Sequence, residues 1–262
     1  MTFFHVVFLA AVQGITEFLP VSSSGHLLAA RFLFGISDVD GTAFDAFLHI
    51  GTLLAVLVYY WQTWMAMLVS MWRRSPEDDS QRALLFKLGV ATVPAALVGY
   101  LFQDVIGQYF RSPQLLAIAL LLTAFLLWWF DRESNRSLTV ENATYGKSLY
   151  IGLWQTIALI PGISRSGMTI AAGRSLGLSR QQAANFSFLL SAPIIAGASL
   201  TSIPTLQQGG EFPYLQLILG GAISFIVGLA AIYTLLKVVE KISFRPFAIY
   251  LVALAMVILI WV

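Results

Sequence analysis

Eight apolar blocks, running approximately over residues 3–19, 44–71, 84–103, 114–130, 148–160, 183–203, 214–236 and 247–262, leave this chain few ways to fold. A helix needs about 20 predominantly apolar residues to cross the hydrocarbon core. Six of the blocks read as full spans, whereas 3–19 and 148–160 are short and run straight into clusters of Pro, Gly and Ser. Those two read as halves of broken or re-entrant helices. The expectation is an all-α polytopic membrane protein with one integral membrane domain, 1–262. Only 11% of the 262 residues are charged, against roughly 25% in a soluble domain.

The first Lys or Arg is Arg31, so no basic region precedes the first apolar block and that block is expected to stay in the protein. Cysteine is absent, which excludes disulfides, thiol catalysis and thiolate metal sites. Basic residues fall on alternate connections: Arg73, Arg74, Arg82 and Lys87; Arg132, Arg136 and Lys147; Lys237, Lys241 and Arg245. The other two connections, 104–113 and 204–213, hold only Arg111. By the positive-inside rule the basic loops are cytoplasmic and both termini lie outside.

Sliding the chain by 142 residues lays QGITEFLPVSSSGHLLAARFLFGIS (13–37) over QTIALIPGISRSGMTIAAGRSLGLS (155–179), with nine of twenty-five positions identical. The shared positions include Gln13/Gln155, Ser22/Ser164, Ser24/Ser166, Gly25/Gly167 and Ser37/Ser179. Each copy is a broken helix followed by three spans, so the copies, 1–131 and 143–262, are expected to be inverted relative to one another. In such folds the breaks meet near the midplane. Irregular backbone at that depth is tolerated only where it is buried in protein or lines a wet cavity. Both clusters are therefore expected to face one interior site.

Pro20 stops the first half-helix, and Ser22, Ser23 and Ser24 precede a new helix whose free N–H groups point back at the break. Pro161 and Gly162 do the same in the second copy, with Ser164 and Ser166 as capping residues and Arg165 between them. Two helix N-termini, a row of hydroxyls and an arginine suit a phosphate or pyrophosphate, although sulfate or a carboxylate meets the same physics. Glu17 would repel such a ligand, so it points beyond binding to reaction, as a metal ligand or as the orienter of a base. His26, three residues after Ser23 at a helix start, is expected near that hydroxyl.

Other signals are weaker. Asp45 and His49 stand one turn apart at the outer end of the first span; a place near the site is open to them, and a solvated helix start is the simpler account. Arg31 and Arg174, at the far ends of the second half-helices, read as interfacial anchors. Trp61, Trp64, Trp72, Trp128, Trp129 and Trp261 fall at span ends, as an aromatic belt would. RRSPEDDSQR (73–82) reads as a solvated loop, with no nucleic-acid signal. The competing class is a transporter or flippase of an anionic lipid or phosphate, which would not need the Glu17, Ser23 and His26 set.

QGITEFLPVSSSGH and PGISRSGMT, together with FSFLLSAP (186–193) and ISFRPFAIY (242–250), resemble the bacterial undecaprenyl-diphosphate phosphatase family, also called the bacitracin-resistance protein family. The resemblance covers nearly the whole chain. It implies removal of the terminal phosphate of undecaprenyl diphosphate, which recycles the lipid carrier for cell-wall synthesis, in the bacterial inner membrane with a site open to the outer face. It implies Glu17, Ser23, His26 and Arg165 as catalytic residues, with Gln13, Ser22, Ser24, Gly162, Ser164, Ser166 and Thr169 around the substrate. Ser23 is the preferred nucleophile, with His26 as base and then acid and Glu17 as orienter or metal ligand; direct attack by His26 or by water is left open. It also implies a divalent cation, Mg²⁺ or Ca²⁺, at Glu17, where this chain has Gln13 in place of a second acid found in many members. The expected partners are a polyprenyl diphosphate and membrane lipids, with a homodimer left open.

Overall fold

A computed structural model describes residues 2–36, 41–73, 75–109, 112–132, 136–201 and 214–261. Ser37, Arg74, Arg111, the connection 204–213 and the Trp261 side chain, all named above, lie outside the described residues. Within them the chain forms eleven helices and no strand. In order these are α1 (Phe3–Thr16), α2 (Ser23–Phe34), α3 (Gly41–Tyr59), α4 (Trp61–Val69), α5 (Pro76–Tyr109) and α6 (Pro113–Phe130), followed by α7 (Tyr145–Ile157), α8 (Arg165–Ser175), α9 (Arg180–Thr201), α10 (Tyr214–Val239) and α11 (Arg245–Trp261).

Four helices, α5, α6, α9 and α10, are long and apolar enough to cross a membrane among the described residues. The expected first span, 44–71, is not one rod: α3 and α4 meet at a 69° bend. Tyr60 leaves helical geometry there (φ −102°, ψ 22°), and its hydroxyl donates to Asn185 Oδ1 on α9 at 2.6 Å. Taken as one broken span, the pair is the fifth. The sixth expected span is α11, an apolar helix of 17 residues, at the short end of what crosses. α1 and α7 have 14 and 13 residues, about 20 Å each at 1.5 Å per residue. Neither can span, as their sequence suggested.

The loop expected at 73–82 folds further than composition implied. Pro76 opens α5, and Glu77, Asp78 and Asp79 fill the first turn, where negative charge complements the exposed N–H groups. Arg82 then reaches back to the carbonyl oxygens of Ser70 and Arg73. Lys87 is buried, donating to the carbonyls of Val140 and Glu141.

The interfacial-anchor reading of Arg31 and Arg174 is overturned. Arg174 is 1% exposed, and it lies 3.0 Å from Asp131 Oδ1 and donates to Leu178 O. Asp131, itself buried, also accepts from Arg180 Nε and from Phe244 N. One carboxylate thus joins the ends of α6 and α8 to the starts of α9 and α11. Arg31 is likewise buried and paired with Asp45 at the start of α3. Both arginines lie in the last turn of a half-helix, four and three residues before glycines of positive φ, Gly35 and Gly177.

The principal packings are α3 and α1 on α10, α6 on α11, and α5 on α7. Close approach depends on small residues, since the bilayer supplies no hydrophobic drive for one helix to choose another. A Cβ on Gly152 of α7 would collide with Ala91 O of α5, and one on Gly51 of α3 with Gly221 O of α10. Outward positions such as Tyr214, Ile218, Ile226 and Ile260 stay exposed and apolar, as lipid contact requires.

Candidate active site at the two helix breaks

The two breaks touch. Gly162 N donates to Ser24 Oγ at 3.3 Å, and Ser166 Oγ donates to Leu19 O at 2.9 Å. Each break therefore uses a serine at the same repeat position to engage the backbone of the other. Around this junction lies a cavity of about 180 Å³. Glu17, Ser22, Ser23 and Ser24 line it from the first break; Ser164, Arg165 and Ser166 line it from the second.

The new helices are capped as their sequence required. Ser22 Oγ accepts from Gly25 N at 3.2 Å, and Ser164 Oγ accepts from Gly167 N at 3.0 Å. A second hydroxyl stands beside each cap, Ser24 at 3.4 Å and Ser166 at 3.2 Å. The remaining N–H groups of the first turns carry the positive end of each helix, which suits an oxyanion. The backbone differs at one point. Ser22 has φ 71°, alone among the described non-glycine residues, while Ser164 has φ −72°. Such a conformation costs about 1–3 kcal/mol and persists where surroundings enforce it.

Glu17 is the hub. Its Oε2 accepts from Ser23 Oγ at 2.7 Å and from Gln13 Nε2 at 2.9 Å; its Oε1 accepts from Arg165 Nη2 at 2.8 Å. Arg165 also donates from Nη1 to Ser187 O at 3.1 Å, which fixes the plane of its guanidinium. Ser187 Oγ is in turn 2.7 Å from Thr169 Oγ1. Glu17 thus holds a hydroxyl and a guanidinium side by side, a candidate nucleophile next to a fixed positive charge.

Residues 6–257 match the family model of the bacitracin resistance protein BacA. The chain belongs to that family. It is 40% identical over 262 residues to an undecaprenyl-diphosphatase of Alteromonas mediterranea, covering 99% of this chain and 98% of that protein. It is also 40% identical over 257 residues to an undecaprenyl-diphosphatase of Desulforudis audaxviator, covering 98% and 97%. Family membership therefore extends over both breaks and every helix that carries them.

Of the residues singled out in the sequence, Glu17, Ser22, Ser23, Ser24, Ser164, Arg165 and Ser166 come together at the cavity. Gln13, Gly162 and Thr169 stand behind it, bonded respectively to Glu17, Ser24 and the Arg165 support just described. His26 is not brought to Ser23: its Nδ1 meets Ser22 O at 2.8 Å and its Nε2 meets Tyr250 Oη at 2.7 Å. Of the two readings of His49, the solvated helix start is overturned and the place near the site holds. Its Nδ1 donates to Asp45 O at 2.7 Å, and its Nε2 faces the cavity 3.7 Å from Glu17 Oε2. Gln155 lines the cavity too, buried, with no hydrogen-bond partner for Oε1 among the described residues. Its match to Gln13 across the repeat was the sequence signal for it.

Proposed function

We propose that this cavity is the active site of a membrane phosphatase that converts undecaprenyl diphosphate to undecaprenyl phosphate and orthophosphate. The observation that carries the reading is Glu17, whose two oxygens hold the Ser23 hydroxyl and the Arg165 guanidinium side by side. A pure transport site gains nothing from a carboxylate beside its anion, whereas a nucleophile needs one as proton acceptor. The terminal phosphate lies between the helix N-termini, with Arg165 on its oxygens. Ser23 Oγ attacks phosphorus as its proton passes to Glu17 Oε2. The anhydride P–O bond breaks, and its electron pair leaves on the lipid phosphate. Water then attacks the phosphoserine; Glu17 returns the proton to Ser23 Oγ, and orthophosphate departs.

A divalent cation fits this donor set in a limited way. Among the described residues no cluster of three His, Asp or Glu side chains could hold one unaided. Gln13 Oε1, however, is buried without a hydrogen-bond partner among them, and it belongs to a side chain already bonded to Glu17. Glu17 and Gln13 offer two hard oxygens, and Mg²⁺ commonly takes its other ligands from water and substrate phosphates. When bound, such an ion supplies charge neutralisation across the diphosphate.

The isoprenoid has an apolar place beside the site. α3, α5 and α9 line both the cavity and a cleft of about 410 Å³ that includes Leu53, Leu57, Trp64, Leu88 and Gly89. His49, Leu53 and Leu57 follow one another at four-residue spacing, one stripe of α3 leading from polar to apolar surroundings. The cytoplasmic membrane as location, an inverted relation of the two halves and a site reached from the outer face complete the reading. The Lys and Arg distribution and the equivalent caps support it.

Purified protein in detergent with Mg²⁺ should release orthophosphate from undecaprenyl diphosphate, and EDTA should suppress the release. No release would overturn the function, and release indifferent to EDTA would remove the cation. Gly89→Trp, at a position where a Cβ meets open space, should raise KM for the long-chain substrate and leave a three-isoprene diphosphate unaffected. A carboxy-terminal reporter active only in the cytoplasm would overturn the orientation.

A further inference from the structure

We infer that His26 is a positioning residue that acts together with Tyr250, holding the Ser22–Ser23 turn against the last helix, and not the base that deprotonates Ser23. The inference rests on the reading that Ser23 meets the phosphorus.

The hydrogen bonds of the imidazole decide it. A carbonyl oxygen only accepts, so the contact with Ser22 O fixes a proton on His26 Nδ1. Nε2 is then either the one lone pair of a neutral ring, which the Tyr250 hydroxyl occupies at 2.7 Å, or a second N–H donating to that hydroxyl. In both states no lone pair is left for Ser23. The rings also stack, with centroids 5.5 Å apart and 14° between planes. Tyr250 lies on α11, 224 positions along the chain from His26, so the contact ties the start of α2 to the last helix. Meanwhile Ser23 already has its proton acceptor in Glu17, and His26 is not among the residues that line the cavity.

What needs holding is also visible. Ser22 is the strained residue, and three groups grip it: Gly25 N on its hydroxyl, His26 N on its carbonyl, and His26 Nδ1 on the same carbonyl. The next residue is Ser23. Loosening the grip lets the turn relax and carries the Ser23 hydroxyl off Glu17, while Arg165 and both helix N-termini still hold the diphosphate. The loss therefore falls on kcat and not on KM.

Tyr250→Phe should lower kcat about 3- to 10-fold, the size of one hydrogen bond, at unchanged KM. In the His26→Leu background the same change should have no further effect, because the two act as one unit. His26→Gln separates the roles, since an amide can accept from Tyr250 but cannot take a proton. It should keep about a tenth or more of the wild-type kcat, whereas loss of a general base costs about 10²–10⁴-fold. A fall of 10²-fold or more in His26→Gln overturns the inference, as does a wild-type kcat in Tyr250→Phe or a full multiplication of losses in the double variant. Failure of the underlying reading shows elsewhere, as a near-normal rate in Ser23→Ala.

Discussion

The two helix breaks have the same scaffold and opposite chemistry. Both set a proline four residues past the end of a half-helix, cap the next helix with serine on a glycine N–H, and place a second serine two positions on. The middle position differs: Ser23 in the first copy stands where Arg165 stands in the second, 142 residues later. The backbone differs as well, positive φ at Ser22 and ordinary φ at Ser164. On the function proposed above, one break supplies the attacking hydroxyl and its carboxylate and the other the arginine. Strain collects on the side where an atom must be aimed.

The sharpest way to break this division is Ser23→Ala, expected to lower kcat by about 10³-fold or more with little change in substrate binding. An active Ser23→Ala enzyme would leave water as the attacking group and make the two breaks alike in role. Arg165→Lys keeps the charge and loses the planar fork that Glu17 and Ser187 hold, so kcat should fall about 10²-fold. An Arg165→Lys enzyme at full rate would mean that charge alone suffices on the second break.

Smaller effects refine the comparison. Thr169→Val removes the hydroxyl beside Ser187 and should reach the chemistry only through Arg165, lowering kcat about 3- to 10-fold; an unchanged rate would show that Ser187 needs no support. The caps should differ in stability. Ser164→Gly loses a cap in ordinary backbone, while Ser22→Gly loses a cap but relieves a positive φ. Ser22→Gly should therefore be the milder by about 1 kcal/mol in denaturation measurements. Equal losses would deny the strain at Ser22 any energetic weight.

Much of this arrangement was legible in the sequence because its signals are local. Proline, serine and glycine at fixed spacing specify a break and a cap wherever they occur, and a constant offset reveals their repetition. Glu17 and Arg165 stood out because charge at membrane depth is costly without a task. The rest depends on which distant elements meet. Nothing near Arg174 announces Asp131, 43 positions earlier, so a buried ion pair read as a surface anchor. His26 and Ser23 are close in sequence, yet the ring turns to Tyr250. The bend at Tyr60 has neither proline nor glycine to mark it; it follows the hydroxyl to Asn185.

The reciprocal bonds between the breaks, Gly162 N to Ser24 Oγ and Ser166 Oγ to Leu19 O, bear on motion. A carrier that exposes its site to each side in turn must rock one half of the molecule against the other, and the hinge line passes between the halves. Here the two breaks are stitched together twice, each by a serine of one engaging the backbone of the other. Rocking one break away from the other would have to part both bonds together, so on the function proposed above the junction would act as a closed clasp beneath the diphosphate.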